Sequence, residues 1–152
     1  MKKTYTSLAT ASIVLLCVIA LMPSCKKDAN GTTTSSSAAI LTKAVWTFQK
    51  FEYQKPDGSW IPDPDAVDAN RFTVDFNSNG TYTEIDLNNG TTATAQWNFS
   101  SNNTVLTLGG GYNTDAANYS VSLLNSTTLI LIEPKHPAQA TGYTAVRWTF
   151  TR

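Results

Sequence analysis

Side chains able to do acid–base or nucleophilic chemistry are scarce in this sequence. Its 152 residues include one histidine and two cysteines. His136 lies between Pro134 and Pro137, and no nucleophile and orienting group stand with it in a spacing that marks a triad. A solvated loop histidine accounts for it. Glycoside hydrolysis asks for two carboxylates about 5–10 Å apart; Glu133 is a conceivable member, and nothing marks its partner. Asp57, Asp63, Asp65 and Asp68 gather oxygen ligands of the kind calcium favours. Their spacing lacks the EF-hand glycine and terminal glutamate, and aspartates in such loops serve turns and solubility. The sequence therefore calls for no enzyme activity, no metal and no cofactor. Charge is sparse as well, at 14% of residues. From Ile40 onward seven Lys and Arg face ten Asp and Glu, a net charge of −3. That balance argues against a nucleic-acid partner, whose phosphate backbone needs clustered Lys and Arg. No stretch sustains a helical period, although residues 65–70 have room for one short turn of helix.

What is present begins with an export signal. Residues 8–22 are almost wholly apolar and follow Lys2 and Lys3. The run is shorter than the about 20 apolar residues of a spanning helix, and it reads as the h-region of a signal peptide. Cys17 lies inside it and Cys25 just beyond. Leu21-Met22-Pro23-Ser24-Cys25 resembles a lipobox, the site at which cleavage makes the cysteine a new N-terminus for acylation. With residues 1–24 removed, Cys25 has no partner cysteine, and acylation explains it better than a disulfide does. At roughly 0.8 kcal/mol per buried methylene, several acyl chains of the palmitate kind make attachment effectively permanent. The expected location is the cell envelope, on a membrane through this anchor, with the outer membrane favoured and its face left open. Residues 25–39 are polar and of low complexity, a disordered tether of about 20 Å typical span. Residues 40–152 remain for one domain.

That domain alternates with period two. Phe72, Val74 and Phe76 are interleaved with Thr73 and Asp75; Ala93, Ala95, Trp97 and Phe99 with Thr94, Gln96 and Asn98. Similar runs at 45–53, 81–87, 104–108, 119–124, 128–132 and 146–150 bring the total to about eight strands. Parity changes between Phe48 and Phe51, which places a bulge near Gln49 and Lys50. The expected fold is all-β, a small antiparallel up-and-down barrel.

The connections give the barrel two unlike ends. Residues 77–80, 100–103 and 125–126 are tight turns rich in Asn, Ser and Gly; most of the other connections, at 55–70, 88–91, 109–118 and 133–141, are longer. Trp46, Phe48, Phe76, Trp97, Phe99, Trp148 and Phe150 belong near the tight-turn end. Ala93 and Ala95, with Phe72, lie toward the long loops. An eight-stranded barrel is just wide enough to be filled by side chains or to hold one small ligand. Phe72, Ile85, Ala93 and Ala95 are the expected lining of such a cavity. Trp60, set among Gly58, Ser59 and Pro62, is the expected rim or lid, and Tyr112 lies at the same end.

With Leu41-Thr42-Lys43-Ala44-Val45-Trp46, the 72–82 strand–turn–strand segment, Trp97, Leu106-Thr107-Leu108 and Thr128-Leu129-Ile130-Leu131, residues 40–152 resemble the lipocalin-like family of bacterial lipoproteins, part of the calycin group. In lipocalins a first-strand tryptophan of a Gly-X-Trp motif packs near a basic residue from the last strand. The resemblance makes Trp46 that tryptophan and Arg147 the base, with Ala44 in the glycine's place, and it implies a structural closure rather than a site. Two functions follow as expectations. The first is a tethered, non-catalytic binding module for a small, partly apolar ligand. The alternative is an interaction lipoprotein with a filled barrel whose surface contacts protein or glycan.

Overall fold

The computed structural model describes residues 36–63, 69–100, 102–134 and 142–152. The signal peptide, Cys25, most of the tether, Asp65, Asp68, the turn of helix expected from Asp65 and His136 lie outside the described residues. The fold begins with α1, Ser37–Leu41, whose N-cap Ser36 accepts from the Ala39 amide. The strands are β1 (Trp46–Gln54), β2 (Trp60–Pro62), β3 (Phe72–Phe76), β4 (Thr81–Asp86), β5 (Thr92–Phe99), β6 (Val105–Gly109), β7 (Ala116–Leu124), β8 (Thr128–Pro134) and β9 (Ala145–Thr151). Each pairs antiparallel with its neighbour in the order β2-β1-β3-β4-β5-β6-β7-β8-β9, and β1 also pairs with β9. Eight strands thus close into a barrel, with β2 as an addition.

Alternation decides which face is which. On β3 and β8 the buried residues are Phe72, Val74, Phe76, and Leu129, Leu131, Glu133; polar or half-exposed residues lie between them. Outward positions such as Thr83, Thr94, Gln96, Asn98 and Thr107 are polar. This is apolar-in and polar-out, the reverse of a membrane-spanning barrel. Turn chemistry sets the register at the tight end, where Asn79 and Asn125 side chains accept from the backbone amides of Thr81 and Thr127. The expected bulge on β1 is present, since Phe48 pairs with Phe150 and Lys50 with Thr149. Because of it, Phe51 comes to face Trp148, 4.1 Å between ring centroids.

The tight-turn end is closed by α1 and the last residue. Leu41 is fully buried, and its carbonyl accepts from Trp46 Nε1 at 2.8 Å. The base stacked on Trp46 is Arg152, 4.4 Å from the ring centroid; it also donates to Ser126 O and Ile40 O. This corrects the expectation for Arg147. Trp148, Phe150 and Arg152 share one parity of β9, while Arg147 points the other way, outward beside Glu52. The expected tether also ends earlier than Ala39, because Ser37–Leu41 is helical and locked to the barrel floor. Three further features were not expected: α1 itself, strand β2, and a second bulge between Val121 and Leu123.

Candidate functional site

At the long-loop end the strand parities aim polar groups inward. Tyr82, Glu84 and Asp86 all lie on the inner face of β4, and Glu133 does so on β8. Glu84 is 0% exposed, and burying a carboxylate is costly unless it is fully hydrogen-bonded. The loop between β6 and β7 meets that need. Asn113 donates to Glu84 Oε1 through its backbone amide at 2.5 Å and its side chain at 2.6 Å. Thr114 Oγ1 donates to Glu84 Oε2 at 2.9 Å and also meets the Tyr82 hydroxyl at 2.9 Å. Thr114 is itself buried. A side chain at Gly111 would overlap Glu84 Oε2 and crowd Thr114 Oγ1, so glycine is what allows the loop to descend this far.

The rest of the inner end is also occupied. Trp148 Nε1 donates to Glu133 Oε2 at 3.3 Å, and Tyr119 packs edge-on against Trp148 with centroids 6.0 Å apart. Burial, reinforced by the Glu133 charge, pushes the Tyr119 phenol far above its usual range. Burial likewise raises Tyr82. Asp86 holds the next connection, accepting from the Asn88 and Asn89 amides, with Arg71 Nε 3.6 Å away.

Against this the expected cavity residues separate. Ala93 and Ala95 do face inward, opposite Glu84 and Tyr82, and Ala95 packs against the core. Phe72 is fully buried and stacked on Phe48, 4.8 Å between centroids and 14° between planes. It fills the core, also set edge-on to Phe150 with centroids 5.9 Å apart. Ile85 points outward at 38% exposed, since it falls between Glu84 and Asp86. Tyr112 is 53% exposed, while its neighbour Asn113 turns in.

Trp60 is on the outer face. Pro56, Asp57 and Gly58 form a turn in which Gly58 has a φ of +85° and Ser59 donates to Asp57 Oδ1. That turn pairs Trp60 with Gln54, on the same outward parity as Glu52. Arg147 sits over the Trp60 ring, 4.4 Å from its centroid, and forms two 2.8 Å contacts to Glu52 Oε2. Lys50 completes the group at 3.2 Å. The Arg147 hydrogen bond, chiefly, holds the Glu52 carboxyl below its ordinary value. Trp60 therefore covers an ion pair rather than a barrel mouth.

Sequence reasoning missed Glu84, Asn113, Thr114 and Arg152. Parity alone places Glu84 inside with Tyr82, and Arg152 with Phe150, so that signal was available. The inward fold of Asn113 and Thr114 had none, because a Gly-rich loop does not announce which of its residues will be buried. Among the described residues no group of three or more His, Cys, Asp or Glu stands close enough to hold a metal ion.

The geometry defines an eight-stranded antiparallel barrel with a polar, loop-sealed inner end. No protein-family model matches the chain, and comparison with curated proteins gives no match. Among solved structures it is similar to a DUF4847 family protein from Bacteroides vulgatus, with 15% sequence identity and a TM-score of 0.47. That likeness covers 74% of this chain and 94% of the other.

Proposed function

We propose that this chain is an exported lipoprotein, anchored through acylated Cys25, whose barrel is non-catalytic, filled, and active through its outer surface. The observation that carries the filled-barrel part is Glu84. The space beside Ala93 that a small ligand needs is taken by a carboxylate whose oxygens accept from Asn113 and Thr114. An apolar molecule entering there would strip those partners away, at a cost of several kcal/mol. Phe72 stacked in the core and Ile85 and Trp60 turned outward also favour this reading over a small, partly apolar ligand. The anchor rests on the signal-like residues 8–22, the lipobox-like residues 21–25 and the lack of a cysteine partner for Cys25.

Two measurements test it. Cells fed a labelled fatty acid should label the wild-type chain, and Cys25→Ala should abolish both the label and membrane retention. An apolar fluorophore titrated into the purified protein should show no saturable binding. A saturable site emptied by Ala93→Leu would return the barrel interior to use and overturn the filled-barrel reading.

A further inference from the structure

The outer face of β4, β5 and β6 is uncharged around one depression. Gly80, in the turn before β4, and Gly109, at the end of β6, contribute no side chains there. A Cβ at Gly109 would come within 3.2 Å of the Gln96 backbone. What results is an open groove of about 430 Å³, walled by Asn79, Thr81, Gln96, Asn98 and Thr107.

Hydrogen bonds already made fix what the walls offer. Thr107 Oγ1 donates to Asn118 Oδ1 at 2.7 Å, and Thr81 Oγ1 donates to Asn79 Oδ1 at 2.7 Å. Both hydroxyls spend their protons on these bonds; Thr81 Oγ1 also accepts from Asn77 Nδ2 at 3.4 Å, each keeps a lone pair to accept with, and Asn79, its oxygen engaged, has its amide hydrogens to give. The exposed Gln96 and Asn98 carboxamides make no hydrogen bond among the described residues, so each offers a donor and an acceptor side by side.

We propose that this groove binds a neutral glycan, a deduction that rests on the outer surface being the working part of the protein. Sugar hydroxyls donate and accept at once, and paired carboxamides match two of them on one ring. An anionic or cationic ligand would find no opposite charge in the lining. An extended peptide adds to a free strand edge, whereas β5 is paired on both sides. Only an uncharged polyol uses everything the groove presents.

The test takes the full chain, purified in a sugar-free detergent, on an array of neutral glucans, mannans, xylans and galactans, with hits titrated calorimetrically. The double variant Gln96→Ala, Asn98→Ala, at two exposed positions, should weaken the bound glycan by about tenfold or more. Added salt and the interior variant Ala93→Leu should leave affinity unchanged. No retained neutral glycan would overturn the proposal while leaving the outer-surface reading intact. A glycan insensitive to the double variant but lost in Ala93→Leu would overturn both.

Discussion

Glu84 decides the character of the barrel's inner end. It lies opposite Ala93, and what compensates it for lost water is Asn113 and Thr114, brought down by the loop of residues 111–114. Glu84→Ala strands the Asn113 amide and leaves the Thr114 hydroxyl only its Tyr82 and Gly111 partners. The expected loss is about 2–4 kcal/mol of unfolding free energy in urea. Glu84→Gln keeps an acceptor for Asn113 and should lose less; equal loss in both variants would mean that shape rather than hydrogen bonding matters there. Gly111→Ala acts on the same contact from the loop side and should expose Thr114. Arg152 performs the equivalent task at the other end, stacked on Trp46 and bonded to two carbonyls. Arg152→Ala should cost about 1–3 kcal/mol, while Arg147→Ala leaves the floor intact. A larger loss from Arg147→Ala would contradict the closure described here.

Among the elements, the strands whose alternation runs unbroken were legible in the sequence. All eight barrel strands lie where period two puts them, and the change of parity after Phe48 announced the β1 bulge. β7 begins at Ala116 rather than Tyr119, because small alanines carry little pattern. β2 was hidden by reading residues 55–70 as one loop, although Pro56-Asp57-Gly58 between Tyr53 and Trp60 is the chemistry of a hairpin turn. The site was less legible than the fold. Burial in a loop depends on which partner waits for it, and nothing near Asn113 in sequence names Glu84. Trp60 belongs to this scale, since its strand exists through β1 pairing and the Arg147 stack. Trp60→Ala should remove the Arg147 stack, leave the Arg147–Glu52 pair in place and weaken the hairpin by about 0.5–2 kcal/mol, read as faster amide exchange at Ile61 and Asp63 only. Protection lost throughout the barrel would show that the strand is integral to closure.

For the whole molecule, the proposed working surface and the Glu52–Arg147 ion pair both lie on the outer face of the barrel. Glu52 ionises below its ordinary value of 4.5 in the folded state, mainly through its hydrogen bond with Arg147. A carboxyl depressed by folding contributes stability above its unfolded value and loses it as pH falls through the folded one. Wild type and Glu52→Gln should therefore differ in urea midpoint at neutral pH and converge below about pH 4.5. A constant difference across that range would show that the ion pair does not respond to protonation. The filled interior is the central claim, and it is tested most directly by native mass spectrometry of the full chain purified from its own membrane. The account predicts the polypeptide from Cys25 onward with its acyl groups and no small apolar adduct. A discrete apolar mass, released on denaturation and absent from Ala93→Leu, would contradict it.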